Sequence, residues 1–277
     1  MLNSTASANS TLWTHITHSI ITPSVDLLSD DFTSSISLKC KKNAGPVAVT
    51  IETERGSGGA LSSKVGSKFS YAGLSFDKIQ MKADGGHVLE TSLKVAPGVS
   101  VAFKGNKGAD VCVDYTNGNI FATGMLDVKD MSKISTSACL GLASGMKVGG
   151  DLTYGLSGKT GVTAFNVGGS YATGPIFASL TTSSKFSQFN IGLLYKVNND
   201  LSLASQTSHS SAKACDVLSV GGSYKVPSVG TMKAKLGSDG IVSACLIREV
   251  ASKVTVTGSV SINTSGDNFK YGVGIVM

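Results

Sequence analysis

Lysine is the residue whose type and spacing suggest a chemical role in this chain, because cationic side chains recur at alternating positions. In residues 217–226, Leu218, Val220 and Tyr224 alternate with small or polar residues that end at Lys225. A period of two residues is typical of a β-strand with one apolar face and one polar face. Cations gathered on a polar face raise the local concentration of anions, so the pattern predicts a surface that favours anionic solutes.

The same alternation assigns eleven lysines and seven acids to the polar faces of strands. The lysines are Lys39, Lys41, Lys94, Lys104, Lys147, Lys196, Lys225, Lys233, Lys235, Lys253 and Lys270. The acids are Glu52, Glu54, Glu90, Asp110, Asp114, Asp127 and Asp151, and all of them precede the eleventh predicted strand. This excess of cations agrees with a formal net charge of +6 and predicts weak anion selectivity for the set collectively. The alternative is that the lysines only keep the face hydrated or lie at its rims.

No group of residues has the spacing of a catalytic or metal site, so we expect no enzyme, no cofactor and no metal. His15 and His18 lie three residues apart without a third ligand nearby, which favours a polar helix surface. Residues 156–160 resemble the end of a phosphate-binding loop, but Thr153 stands where the loop needs its first glycine. A hairpin turn is expected there. The five cysteines lie at least 27 residues apart, which predicts free thiols.

Composition limits the fold that positions these lysines to two classes. Charged residues make up only 15% of the chain, against roughly 25% in soluble domains, and 33 residues are glycine. No run of 18 apolar residues occurs, so the sequence offers no transmembrane helix. What remains is a membrane β-barrel, or a soluble all-β sandwich or propeller that binds a ligand.

Nineteen strand-like segments follow one another from residue 32, separated by short turns rich in Gly, Asn, Asp and Pro. They lie near 32–41, 47–55, 62–71, 74–83, 87–95, 99–105, 109–116, 119–128, 134–142, 146–155, 160–172, 175–183, 187–196, 200–207, 214–225, 229–237, 241–248, 252–262 and 268–277. Even spacing and minimal hairpins favour an up-and-down transmembrane β-barrel over residues 32–277. The apolar face of each strand is then expected to meet lipid, and the lysines to line a water-filled lumen.

An odd number of hairpin-linked strands makes the first and last strands run in the same direction. Residues 268–277 are therefore predicted to pair antiparallel with 252–262 and parallel with 32–41. Parallel pairing is slightly weaker per residue, so this seam is expected to be the soft point of the barrel. Gly272 and Gly274 on its inner face are expected to leave room for an N-terminal helix.

Residues 1–31 form a separate N-terminal helical segment in this interpretation. The apolar residues of its predicted helix are Leu12, Trp13, Ile16 and Ile20. Pro23 ends that pattern, and a second short helical stretch, residues 25–28, follows it. We expect the helix to lie in the lumen, with its apolar face on the barrel wall; the alternative is a disordered Ser/Thr-rich tail. Residues 1–10 lack a positive segment followed by an apolar one, so no secretory signal is expected.

Several short motifs resemble those of the mitochondrial porin family, the voltage-dependent anion channels. Residues 24–32 are similar to the family's helix end and its entry into the first strand, and residues 96–101 to its Pro-Gly turn and strand. Residues 195–198 resemble a Tyr-x-Lys-Val-Asn strand end. The last strand is similar to the family's C-terminal insertion signal at Lys270, Gly272, Ile275 and Met277. Ser100 stands where the family has a lysine, so no nucleotide role is carried over to that position.

The resemblance implies a passive, voltage-gated, weakly anion-selective channel of the mitochondrial outer membrane. Nucleotides such as ATP and ADP, small organic anions and inorganic ions would pass through it. The implied partners are the lipid bilayer, these anionic metabolites and the outer-membrane assembly machinery, with homo-oligomers possible and no nucleic acid. Two alternatives stay open: the protein-conducting barrel of the outer-membrane translocase, and a soluble all-β binding protein.

Overall fold

The computed structural model describes residues 24–56, 58–106, 108–158, 160–183, 185–211, 217–266 and 269–277. Within them the chain forms a short helix over residues 24–29, one 3₁₀ turn at Ala143–Gly145, and nineteen strands. The strands are β1 (Ile36–Ala44), β2 (Val47–Arg55), β3 (Leu61–Tyr71), β4 (Leu74–Lys82), β5 (His87–Ala96), β6 (Val99–Gly105), β7 (Ala109–Asn117), β8 (Ile120–Asp127), β9 (Lys133–Gly141), β10 (Met146–Gly155), β11 (Gly161–Thr173), β12 (Ile176–Ser183), β13 (Gln188–Lys196), β14 (Leu201–Ser210), β15 (Val217–Val226), β16 (Gly230–Gly237), β17 (Ile241–Ala251), β18 (Val254–Asn263) and β19 (Phe269–Val276).

Each strand pairs antiparallel with the next, and the whole set forms one nineteen-stranded sheet. The turns follow the expected chemistry. At Pro97-Gly98, Gly98 adopts a φ of 77°, and its carbonyl accepts a hydrogen bond from the Thr116 amide at 2.7 Å. A Cβ at Gly98 would collide with the Thr116 carbonyl, so glycine satisfies both the backbone angle and the close approach.

The sheet closes on itself because β1 also pairs with β19, and these two strands run parallel. Four residue pairs make this seam, from Ile36 opposite Val273 to Lys39 opposite Val276. The predicted nineteen-stranded barrel and its parallel closure are confirmed. Strand boundaries agree with prediction within four residues, and the largest difference is at β1, which begins at Ile36 and not at residue 32.

The start of the described chain lies on the concave side of the barrel. Residues 24–35, here called the inner segment, comprise the short helix and an extended stretch that leads into β1. Leu27 and Leu28 are buried and form one cluster with Leu194 of β13 and Ala204 of β14. Downstream, the Thr33 carbonyl accepts a hydrogen bond from Ser259 of β18. β18 lies far around the barrel from the neighbouring strands β13 and β14, so one short segment can contact all three only from within the lumen. The face of the sheet that the inner segment contacts is therefore the inner face.

Two glycines make room for the short helix over residues 24–29. A Cβ at Gly192 of β13 would collide with the Ser24 hydroxyl, and one at Gly221 of β15 would lie 2.7 Å from a Leu28 methyl. Gly272 instead accommodates Thr33 of the extended stretch, and Gly274 faces the Ser37 side chain. These contacts concern the second short helix only, and the expected place of the preceding helix beside β19 stays a prediction. The residues predicted to form its apolar face, Leu12, Trp13, Ile16 and Ile20, lie outside the described residues.

The opposite face of the sheet is apolar and exposed, as a lipid-facing surface requires. On β13, the outward Ile191 and Leu193 are 43% and 50% exposed. Leu194, which follows Leu193 and points inward, is 6% exposed. The same alternation of exposed apolar side chains recurs around the barrel. No helix among the described residues is long and apolar enough to cross a membrane.

The register of the seam can be tested with a disulfide. Ser37 and Gly274 are paired across it, and a Cβ at Gly274 would lie 3.3 Å from the Ser37 hydroxyl oxygen. We expect the double variant Ser37→Cys, Gly274→Cys to oxidise to a bridge that stabilises the barrel by about 2–4 kcal/mol. Gel mobility with and without reductant, mass spectrometry of the bridged peptide and thermal unfolding measure this.

The matched control is Ser37→Cys with Val276→Cys, because Val276 is on the same face but pairs two residues further along, with Lys39. That separation exceeds what a disulfide spans, so this pair should stay reduced. Equal bridging in both variants would show that Ser37 and Gly274 are not paired across the seam.

Candidate pore lining

The register of paired residues shows which side chains point into the barrel. Directly paired residues share a face of a sheet, so the inward orientation of Gly192 extends from strand to strand. Gly192 pairs with Ser179, Ser179 with Ser170, and Ser170 with Lys147. Continued around the barrel, the same reasoning places ten of the eleven predicted lysines on the inner face. They are Lys39, Lys41, Lys94, Lys104, Lys147, Lys196, Lys225, Lys233, Lys235 and Lys270.

Lys253 is the exception. It lies in the two-residue turn between β17 and β18, with a φ of 69°, and not on a strand face. The predicted strand 252–262 begins two residues too early, because Val254 is the first residue that the sheet includes. Lys253 is therefore a residue of the rim of the barrel.

Sequence reasoning missed several charges on β3 and β4. Lys64 and Lys68 of β3 and Lys78 of β4 lie on the inner face, where they meet Glu52, Asp77 and Glu90. The pairings of β4 with β3 and with β5 both shift near residues 76–79, so one extra residue in β4 breaks the alternation of that strand. β3 itself alternates regularly, so the exposed Leu61 and Val65 on its opposite face could have revealed Lys64 and Lys68.

Cations and acids alternate along the inner face of the first ten strands. Glu52 of β2 lies between two lysines, with its carboxylate oxygens 3.3 Å from Lys39 Nζ and 2.7 Å from Lys64 Nζ. Lys78 Nζ lies 3.7 Å from Glu90, which pairs in register with Lys104. Charges arranged in this way largely cancel at a distance, so this half of the wall carries little net field.

The other half of the wall, β11 to β19, has almost no acid to offset its lysines. Among the described residues of these strands the only acid is Glu249, near the end of β17. Lys196, Lys225 and Lys270 form no ion pair with any described residue. The excess positive charge of the lumen is therefore concentrated on this side of the barrel.

The inner segment lies against this cationic half. Lys233 Nζ is 2.6 Å from an Asp31 carboxylate oxygen, and the Lys233 side chain is only 14% exposed. Lys235 Nζ donates to the Leu28 carbonyl at 2.8 Å and lies 4.4 Å from the centre of the Phe32 ring. The Lys235 ammonium is stabilised by the partial negative charge at the carbonyl end of the helix and by the face of the aromatic ring. Two neighbouring lysines of β16 thus fasten the inner segment to the wall.

A polar cavity lies beside this attachment. It has a volume of about 250 Å³ and is lined by Lys235 and Lys270, by Asp239, and by hydroxyls that include Ser243 and Ser261. Small hydroxyl side chains dominate the inner face here, which keeps the wall hydrated and leaves space for solute. No cluster of metal-ligating residues occurs among the described residues.

The described cysteines are free thiols, as predicted. Cys112, Cys139 and Cys245 are buried and Cys40 is half-buried, while the fifth, Cys215, lies outside the described residues. The loop at 156–160, predicted as a hairpin turn, connects β10 to β11, and its central Lys159 lies outside the described residues.

Comparison with known proteins gives one family and two kinds of relative. The model of the family described as eukaryotic porin matches residues 20–274. A protein named mitochondrial outer membrane protein porin 2, from Oryza sativa subsp. japonica, is 24% identical over 182 residues, which cover 65% of this chain and 64% of that protein. A solved mutant of the Rh. blastica porin superposes with a TM-score of 0.50 at 11% identity, covering 87% of this chain and 95% of that one. This last likeness concerns the fold alone.

The attachment of the inner segment predicts a specific effect of losing Lys235. The variant Lys235→Ala removes the hydrogen bond to Leu28 and the contact with Phe32, so residues 24–35 should separate from the wall more often. We expect their amide hydrogens to exchange about tenfold faster, the effect of losing one charge-assisted bond of about 1.5 kcal/mol. Hydrogen exchange followed by mass spectrometry measures it.

Lys225→Ala is the matched control, because Lys225 lies on the same inner face of the neighbouring strand without a contact to residues 24–35 among the described ones. It should leave the exchange of the inner segment unchanged. If both variants accelerate exchange equally, Lys235 does not hold the segment.

Proposed function

The chain belongs to the eukaryotic porin family, and from this we propose that it is a passive channel for small solutes across the mitochondrial outer membrane. Membership of the family and a closed barrel with a polar inner face support a pore. The observation that carries the proposal is the separation of charge in the lumen, where β11 to β19 hold lysines with a single acid among their described residues. Anions are the solutes that such a wall attracts.

Weak anion selectivity follows from how these charges are arranged. Nineteen strands enclose an aqueous channel wide enough for hydrated metabolites, so no solute needs to lose its water to pass. Selectivity then comes from the averaged potential of the wall and not from a tight binding site. The proposed solutes are nucleotides such as ATP and ADP, small organic anions and inorganic ions. The proposal assigns the protein no catalytic role.

Voltage gating is part of the proposal because charge is distributed unevenly around the lumen. A transmembrane potential does work on any charged element that moves along the field, about 2.3 kcal/mol per elementary charge and 100 mV. The cationic half of the wall and the inner segment, which carries Asp26, Asp30 and Asp31, are the charged parts that could move relative to each other. Displacement of either would change both the width and the net charge of the pore.

The protein-conducting alternative is less compatible with this lumen. Segments that target proteins to mitochondria are amphipathic, rich in Arg and poor in acids. A wall whose excess charge is positive over β11 to β19 repels such segments and attracts anions. We therefore favour the metabolite channel.

The proposed partners follow from the outer face and from β19. The exposed apolar belt fits a lipid bilayer. The outer-membrane assembly machinery would read the C-terminal insertion signal, whose residues are Lys270, Gly272, Ile275 and Met277. Lys270 and Gly272 pair with Ser261 and Ser259 on the inner face of the wall, and Ile275 alternates to the lipid face. Homo-oligomers are possible in the same membrane.

Charge reversal on the unpaired lysines tests the proposed selectivity. The variant Lys196→Glu, Lys225→Glu changes two inner-face cations that have no described contact with the inner segment. In planar bilayers with a KCl gradient, we expect the wild-type reversal potential on the anion-selective side and that of the variant shifted toward cations. The reason is that permeation follows the averaged charge of the lumen wall.

Lys253→Glu is the control for this experiment, since it changes the charge of a rim residue. Salt screens charges over about 10 Å at 0.1 M, so its shift should be smaller per charge reversed. A wild-type protein without conductance would overturn the channel proposal. A conducting variant with an unshifted potential would overturn only the role given to these lysines.

A further inference from the structure

The seam between β1 and β19 is open at one end. β19 pairs with β18 along its whole length, from Phe269 to Val276. Its pairing with β1 covers only Val273 to Val276. Residues 269–272 therefore extend beyond β1, and on that side no strand of the described residues neighbours them.

The open stretch presents backbone groups that a sheet normally pairs. The amide of Val273 donates to the Ser35 carbonyl at 3.0 Å, and that of Met277 to the Lys39 carbonyl at 2.8 Å. Amides of a strand point alternately to its two neighbours, so the amide of Tyr271 points to the same side as that of Val273. β1 supplies no residue in register with it, which leaves a notch in the wall.

The notch exists because the inner segment turns into the lumen before it could complete the seam. Thr33 lies over Gly272, and its carbonyl accepts from Ser259 on the inner face. The chain joins β1 only at Ile36. The contacts that hold the inner segment inside thus prevent it from pairing with the first half of β19.

A cavity of about 330 Å³ occupies the notch. Its lining combines cationic side chains with apolar and aromatic ones. The lining residues include Ser34, Ile36, Arg55, Phe269, Lys270 and Tyr271. Lys270 also lines the polar cavity in the lumen. The described lining residues include two cations and no acid. The site is therefore suited to an anion, and its members Ile36, Phe269 and Tyr271 are exposed on the outer face of the barrel.

Arg55 is the outward-facing member of this pair of cations. It is the last residue of β2 and pairs with Ile36 and Leu61, which are 48% and 68% exposed on the lipid-facing side. No described residue forms an ion pair with it. An arginine at the end of a strand, among exposed apolar side chains, is at the level where a bilayer presents its headgroups.

Apolar side chains continue from the notch down the outer wall. Phe269 and Tyr271 are 62% and 58% exposed, and their ring centres lie 6.2 Å apart. Aromatic rings of this kind are typical of the boundary between headgroups and acyl chains. The site thus places cations, and an amide with no partner on a described strand, at one end of an apolar surface.

We propose that the notch binds the headgroup phosphate of an anionic phospholipid from the surrounding bilayer, with the acyl chains lying over Phe269, Tyr271 and Ile36. Arginine binds phosphate oxygens in a bidentate manner, and Lys270 and the Tyr271 amide complete the set of donors. A free phosphate would leave the apolar half of the site unused. A second copy of the chain would have four residues of strand edge to pair with, far less than a stable interface needs.

The chain provides a matched control for this proposal, since it contains two arginines, Arg55 and Arg248. Arg248 of β17 pairs with Val256 on the outer face, in the row that leads to Ile275 in the paired part of the seam, and it does not line the notch. We expect native mass spectrometry of the detergent-solubilised barrel to show bound phosphatidylglycerol in the wild type and in Arg248→Gln. Arg55→Gln should bind it about tenfold more weakly, the loss expected for one charge-assisted contact, and Arg55→Lys should lie between.

The experiment gives a different result for each other possible occupant of the notch. Equal lipid retention in Arg55→Gln and Arg248→Gln would overturn the proposal, as would displacement of the lipid by millimolar glycerol phosphate, which would indicate a site for free phosphate. Loss of a dimer in Arg55→Gln, without a change in bound lipid, would identify a second copy of the chain as the occupant. Gel mobility before and after heating verifies that each variant is folded. Channel conductance should not change in any of them, so failure here is separable from failure of the proposed function.

Discussion

A backbone amide inside a bilayer must find a partner within the protein, because lipid offers none. This requirement forces the sheet to close, and nineteen hairpin-linked strands can close only with β1 and β19 parallel. Most of the molecule follows from that closure, including the separation of an apolar outer face from a polar inner one. The notch at residues 269–272 is the one place among the described strands of the seam where closure is incomplete, and it lies at the end of the barrel, where headgroups and water can reach it.

The inner face is built as two unlike halves. Over β1 to β10, lysines alternate with acids on neighbouring strands, and ion pairs such as Lys64 with Glu52 cancel most of the field. Over β11 to β19, the lysines face hydroxyls and glycines. The inner segment packs against this second half, and Asp31 neutralises Lys233 there. The unbalanced positive charge of the lumen thus lies on the same side as the inner segment.

Strand number, direction and most boundaries could be predicted from alternation and turn residues, because both are local properties of the sequence. What could not be predicted depends on contacts between distant residues. A bulge in β4 lets the consecutive residues Asp77 and Lys78 both form ion pairs on the inner face, and no count of alternating residues reveals a bulge. Gly192 and Gly221 resemble any other strand glycine until Ser24 and Leu28 are found against them. The lysines were placed well because they lie in regular strands, and Lys253 was misplaced because it lies at a strand end.

The parallel seam also sets the order in which this protein can fold. Ile36 and Val273 are 237 positions apart in the chain (273 − 36), whereas every other strand pair is joined by a short turn. The chain loses loop-closure entropy before such a distant contact contributes stabilising interactions, so the seam forms last and slowly. Until then both terminal strands present unpaired edges, which in water would invite association with other chains. Synthesis of the final strand is therefore the event that allows the barrel to close, and the cell must keep the open sheet from aggregating until it has been made.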